Sequence, residues 1–405
     1  MAAARSHKTP GAAGRRQLHD LNSMLRRLRS AAYVACAIGA LAPASAFAAV
    51  PEPAPVAAVP AAPMSLLSRG APAYASSGTA SLANDASYGS VWRSSGVPAM
   101  LTLDLSGVPA PRRRVLWVVW YNEVTYGYDH AQLDAPAYNN LGSYTVEVNA
   151  SPGGGAPPSD GWVTVETVAR NTLHSRDHVV PFTGYQWLRI AATAADGSPG
   201  NSDVALNLDV YDAGAGVSDG WLFVGDSITA GAMGHSDLSS GAESFTNALG
   251  ALSGVFPAQQ NAGMPGWTAL VAAAHLPAWL KDFHGRYVPL AFGTNDAAGE
   301  VPPRKYLDQL STLVAQVLAS GKIPVVPTIP WSREATHARN LPGLNAQILA
   351  LYRAEPRVVP GPDLYTFFHD HPELISADGV HPTDAGYAAL RGQWAAMARR
   401  LYPSH

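Results

Sequence analysis

Two hydrophobic rhythms divide the chain. Between residues 66 and 213 the apolar positions fall in short runs: "MLTLDL" (100–105), "RVLWVVWY" (114–121), "SYTVEVN" (143–149), "WVTVETV" (162–168), "YQWLRIAAT" (185–193) and "VALNLDV" (204–210). These runs are rich in β-branched and aromatic residues, several alternate apolar with polar, and Gly/Pro/Asn/Asp clusters such as "SPGGGAPPSDG" join them. The pattern predicts an all-β domain, a jelly-roll sandwich. Between 217 and 405 the strand-like "WLFVG" (221–225), "YVPLAFG" (287–293) and "KIPVVPTIP" (322–330) alternate with helical stretches around 243–252, 267–281, 303–320 and 340–354. Tyr387, Leu390, Trp394, Met397 and Leu401 recur at spacings of three and four, the buried stripe of a last helix. Alternating β and α predicts a parallel sheet covered by helices on both faces, a three-layer α/β domain. No internal repeat is found.

The first 65 residues follow neither rhythm. Arg26, Arg27 and Arg29 precede "AAYVACAIGALA" (31–42), an apolar run too short to span a bilayer. Ala46 and Ala48 flank Phe47 as a cleavage pattern. Residues 1–48 are therefore expected to be an N-terminal extension and export signal, with Met24 a candidate start. The mature protein would have no stable membrane span and would be periplasmic or extracellular. Residues 49–65 are rich in Pro and Ala and predict an extended linker.

Composition narrows the function. The chain is 47% apolar and 14% charged, which is globular. Losing residues 1–48 removes seven of the 27 basic residues and one of the 30 acids, leaving a net charge of −9. That balance excludes nucleic acid as an electrostatic partner, since phosphate binding needs a basic face. The single cysteine, Cys36, lies in the signal, so disulfide and thiol chemistry are excluded from the mature protein.

In "WLFVGDSITAG" (221–231) an apolar strand ends in Gly-Asp-Ser. Ligands of open α/β sheets sit at the carboxyl ends of strands, where Ser227 falls. Residues 228–231 can open a helix whose backbone N–H groups point into the same space. Alone, the serine reads first as a cap or turn former. Three further stretches change that: "NAGMPGWT" (261–268) after a second strand, "FGTND" (292–296) at the end of the next, and "DGVHPTDAG" (378–386) before the last helix. Together the four blocks resemble the SGNH (GDSL-type) hydrolases, named for a Ser, Gly, Asn and His in four separated blocks.

The resemblance implies a flavodoxin-like three-layer fold and an ester hydrolase without a metal or other cofactor. Ser227 would attack the ester carbonyl, and it needs a base because a neutral hydroxyl is a poor nucleophile. His381 would be that base, with Asp378, three residues earlier, holding the other ring nitrogen. The oxyanion would be met by the backbone N–H groups of Ser227 and Gly266 and the amide of Asn295. Gly263 competes with Gly266 for its place; Asn295 could instead simply cap a turn, and Asp296, which could do so too, is left outside the catalytic set. Trp267 and Trp331 each read either as substrate-binding walls or as packing. His369 and His371 flank Asp370, but with no third ligand evident they read as solvent-facing or structural.

"SLANDASYGSVWRSSGVPAMLTLDLSG" (81–107) resembles the discoidin-like, galactose-binding sandwich in its Trp92-Arg93-Ser94-Ser95 and in Leu101 to Leu105. Such domains often bind sugars through loops at one end, and Tyr121, Tyr126 and Tyr128 could form a stacking platform there. The alternative is a packing partner that shapes the cleft. A β-domain joined to an SGNH half resembles carbohydrate acetylesterases. The expectation is an exported serine esterase that removes O-acyl, most simply O-acetyl, groups from an acylated polysaccharide or oligosaccharide. The alternatives are a lipolytic or aryl esterase with the same triad, and a carbohydrate-binding protein whose hydrolase half is inactive. The oligomeric state is not legible.

Overall fold

A computed structural model describes residues 63–121, 139–196, 202–234 and 243–402. The expected export signal, most of the linker, and Tyr126 and Tyr128 lie outside the described residues.

Residues 63–213 form two antiparallel sheets. One has the order β1-β3-β8-β5-β6, from β1 (Ala73–Ala75), β3 (Ala99–Asp104), β8 (Trp187–Ala195), β5 (Leu141–Asn149) and β6 (Val163–Val168). The other has the order β2-β9-β4-β7, from β2 (Trp92–Arg93), β9 (Ala205–Asp212), β4 (Val115–Tyr121) and β7 (Ser175–Pro181). The period of two decides which side chains meet. Leu101 and Leu103 of β3 pair with Ile190 and Leu188 of β8, and with Val146 and Val148 they face Leu116, Val118 and Trp120 of β4 across one core. The arrangement is a β-sandwich.

Strand β4 is apolar on both faces because both are covered. Trp117, Val119 and Tyr121 point the other way, into a core that also holds Trp279, Leu280 and Phe283 of the C-terminal half. An unbroken run such as "VLWVVWY" is what a doubly covered strand requires.

The C-terminal half is a parallel sheet of order β11-β10-β12-β13-β14. Its strands are β10 (Gly220–Gly225), β11 (Ala258–Gly263), β12 (Tyr287–Ala291), β13 (Ile323–Val326) and β14 (Val359–Pro360). The helices are α1 (Ser227–Met233), α2 (Phe245–Ser253), α3 (Ala269–Asp282), α4 (Thr294–Ala298), α5 (Pro303–Ala319), α6 (Ala335–Ala354), α7 (Leu364–Asp370) and α8 (Asp384–Ala398). Strand β10 sends Leu222 and Val224 toward α3, α5 and α6, and Trp221 and Phe223 toward α2 and α8. Helix α8 buries Tyr387, Leu390, Trp394 and Met397 as its spacing predicts, and Thr383 Oγ1 caps it by accepting the Gly386 N–H at 3.1 Å. Leu401 falls beyond the helix, in a closing 3-10 turn.

Strand β11 reads "AQQNAG", and all six residues are buried. It is the sheet edge that meets β7 of the sandwich. Gln260 Nε2 donates to Asp177 Oδ2 at 2.6 Å. The Ser175 hydroxyl accepts the Asn261 N–H and donates to the Asn261 carbonyl, both at 3.2 Å. Strand edges need partners for their N–H and C=O groups, and here side chains of the other sheet supply them.

Candidate active site

Gly225 pairs with Gly263 on one side and Ala291 on the other, so β10, β11 and β12 end level. The segments leaving these three ends carry the first three blocks. Asp226 is the N-cap of α1, and its Oδ1 accepts the Ile228 N–H at 2.9 Å. That cap fixes Ser227 as the first helical residue. Burial pushes the Asp226 carboxyl up to about 6.

Ser227 Oγ lies 2.8 Å from His381 Nε2, and His381 Nδ1 lies 2.7 Å from Asp378 Oδ2. The other Asp378 oxygen accepts three hydrogen bonds, from the Ser376 hydroxyl at 2.8 Å, the Val380 N–H at 2.8 Å and the His381 N–H at 3.0 Å. Partial burial opposes ionisation, but these donors and the imidazole hold the carboxyl well below the usual carboxylate range. The loop is closed by the Ser376 N–H on the His381 carbonyl at 2.7 Å and the Thr383 N–H on the Leu374 carbonyl at 2.8 Å. A second segment braces it. The Ser332 hydroxyl and Arg333 N–H donate to the Gly379 carbonyl at 2.7 and 2.8 Å, and the Arg333 guanidinium donates to the Ile375 and Ser376 carbonyls.

Met264-Pro265-Gly266-Trp267 is a type II turn. The Trp267 N–H donates to the Met264 carbonyl at 3.1 Å, with Pro second and Gly266 third at φ +80°. Gly263 has a different task. A Cβ there would lie 2.2 Å from the backbone nitrogen of Ala230, and its N–H already donates to Asn261 Oδ1 at 2.9 Å. It is the point where β11 touches α1, which leaves Gly266 as the glycine of the turn.

Two residues of α4 tie that turn down. Asn295 Nδ2 donates to the Trp267 carbonyl at 3.0 Å. Asp296 accepts the Ala269 N–H at 3.2 and 3.3 Å, and burial pushes its carboxyl up to about 6. Asp296 does not cap a turn of its own but takes the first N–H of α3, beside the Thr268 cap of that helix. The sequence sign of that role is only its place beside Asn295, since nothing local reveals a partner 27 residues away.

Trp267 is 4% exposed and its ring lies 4.8 Å from that of His275, the setting of a packing residue. Trp331 is half-buried, with its ring 5.8 Å from His369. His369 and His371 pair with separate carboxylates, Asp370 at 3.1 Å and Glu373 at 3.4 Å. Among the described residues no three His, Cys, Asp or Glu side chains gather as a metal site. A narrow cavity under α1 is lined by Asp226, Thr229, Phe292, Thr294 and Thr328, and its lining does not include Ser227 or His381.

Residues 223–389 match the GDSL-like Lipase/Acylhydrolase family. That stretch is a GDSL-like domain. It contains all four blocks, and the sandwich lies outside it. No curated protein sequence matches the chain. Among solved structures, a lipase/acylhydrolase from Enterococcus faecalis is 23% identical, covering 45% of this chain and 95% of its own, with a TM-score of 0.40. An acetylxylan esterase from Geobacillus stearothermophilus is 19% identical, covering 47% and 99%, with a TM-score of 0.37. A chitosan-binding module from a Paenibacillus chitosanase/glucanase is 22% identical, covering 36% and 98%, with a TM-score of 0.28. The parallel five-stranded sheet and its helices fit the α/β fold expected of the GDSL-like domain.

Proposed function

We propose that the GDSL-like domain is a serine esterase that removes O-acetyl groups from carbohydrate. The observation that carries this reading is the continuous chain from Ser227 Oγ through the His381 ring to Asp378, with contacts of 2.8 and 2.7 Å. Ser227 Oγ attacks the ester carbonyl while His381 Nε2 takes its proton, and Asp378 stabilises the imidazolium. The oxyanion is met by the Ser227 and Gly266 N–H groups and by the second amide hydrogen of Asn295, the first being spent on Trp267. His381 returns the proton to the leaving alcohol. Water then repeats the sequence on the acyl-enzyme.

A carbohydrate substrate is supported by exposure. The side chains of His381 and Asp378 are 38% and 51% exposed, so the alcohol half of the ester can be as large as a polymer. Under this reading residues 1–48 export the enzyme to where such polymers lie. Acetate release from a panel of O-acetylated glycans, with Ser227→Ala alongside, is the test. Release by the wild type alone supports the reading. Hydrolysis of long-chain acyl esters with none of acetylated glycans would move the substrate to lipid, and activity retained by Ser227→Ala would remove the nucleophile.

A further inference from the structure

The reaction fixes which side of the site receives the alcohol. The leaving oxygen must come within hydrogen-bond reach of His381 Nε2, because that atom returns the proton. The alcohol half of the ester therefore lies on the side of the loop that carries His381, away from the Gly266 turn and Asn295.

An aromatic ledge stands beside that loop. Trp331 directly precedes Ser332 and Arg333, both of which bond the Gly379 carbonyl. Its ring meets His369 edge-on at 5.8 Å and an interplanar angle of 88°. His369 in turn lies parallel to Tyr365, one helical turn back on α7, at 6.4 Å and 16°. Helix α7 runs through a 3-10 turn at Pro372–Leu374 into the loop of Asp378 and His381, so both supports of the ledge join the same loop. The His369 side chain is 60% exposed, and the adjoining Asp370, hydrogen-bonded to it, is 63% exposed. This puts aromatic ring surface next to a hydrogen-bonding pair.

We infer that Trp331, His369 and Tyr365 form a binding subsite for a pyranose ring, the alcohol half of the O-acetylated substrate. The C–H face of a pyranose carries partial positive charge and is attracted to the negative face of an aromatic ring, while its hydroxyls need polar partners at the rim. Asp370 and His369 Nε2 supply those partners, His369 Nδ1 being taken by Asp370. Seating the sugar here holds the ester over Ser227, so binding remote from the reacting bond is turned into positioning. The inference rests on the esterase reading and deepens it to a substrate class.

The experiment compares two acetyl esters that differ only in the alcohol: partly O-acetylated cello-oligosaccharides and p-nitrophenyl acetate. Wild type, Trp331→Ala, Trp331→Tyr and His369→Ala are measured, with Ser227→Ala as the control for the reading beneath. The ledge requires that Trp331→Ala raise KM for the oligosaccharide about tenfold more than for the aryl ester. Trp331→Tyr should recover most of that loss, and His369→Ala should move KM in the same direction. Equal changes on both esters would overturn the subsite and leave a structural role. Wild-type turnover of the aryl ester but not of the sugar would overturn it too, while the esterase reading stood. Loss of Ser227 dependence on both esters would instead bring down the esterase reading, and the subsite with it.

Discussion

Asp378 divides its two oxygens between the imidazole of His381 and the backbone that carries it. One oxygen meets His381 Nδ1 at 2.7 Å, and the other accepts the N–H of the same residue at 3.0 Å. The carboxylate thus fixes both the ring and the start of its tether. Asp378→Asn keeps the shape but can present an N–H to the ring and turn its tautomer. On an acetyl ester kcat should fall by about 10²–10⁴-fold with the fold intact. Steady-state kinetics check this, and a loss under tenfold would take Asp378 out of the mechanism.

Asn295 should act on the transition state more than on the bound substrate. Replacing it with Ala is expected to lower kcat by about 10²–10³-fold and to change KM much less. Its bond to the Trp267 carbonyl gives the rival outcome. If the residue only ties down the Gly266 turn, KM will rise along with the loss of kcat.

The two buried acids beneath the site carry a pH signature. Asp226 and Asp296 are pushed up to about 6 by burial, from an ordinary value near 3.8. The folded state therefore binds more protons than the unfolded one between those values. Their contribution to stability is complete below about pH 4 and is lost as pH rises through about 6. Asp296→Asn keeps an acceptor for the Ala269 N–H and cannot ionise. Relative to wild type it should gain of the order of 2 kcal/mol between pH 4 and pH 8. Thermal unfolding at both pH values decides, and a difference independent of pH would contradict the burial argument.

Asp177 is the polar centre of the contact between β7 and β11. It accepts from Gln260 Nε2 and, at 3.2 Å, from the His284 backbone N–H, and it also bonds the His284 ring. Asp177→Ala leaves the buried Gln260 amide without this partner, while water can reach the exposed His284, and should cost about 1–3 kcal/mol. Urea unfolding would show it as a lowered midpoint, and a change below about 0.5 kcal/mol would mean that water takes over the role.

The same contact explains which elements the sequence hides. The stripe of α8 and the apolar runs of β4, β10 and β12 are legible because they face apolar cores. Strand β7, "SRDHVVP", is not legible, and the second strand expected before residue 261, which is β11, "AQQNAG", shows no apolar run of its own, because Arg176, Asp177, Gln260 and Asn261 look like loop residues. Their backbones pair with β4 and β10, but their polar side chains find partners in each other, a fact that exists only once the two halves meet. Strand β14 is two residues long and gives no pattern to read. The four blocks were readable because each sits on a turn with its own chemistry, Pro265-Gly266 above all. The partners that hold those turns, Asp296 on Ala269 and Arg333 on the 375–379 loop, lie too far along the chain for any local signal.

That meeting of β7 and β11 also bears on how the protein can be cut. Each is the outermost strand of its sheet, and each is the other's cover. A fragment holding only residues 217–405 would present β11 as an open template, with Asn261 ready to pair with a second copy, beside the surface that Trp117 and Val119 now seal. Such a fragment is expected to self-associate rather than work as a smaller enzyme. The sandwich is in this sense a built-in guard against aggregation.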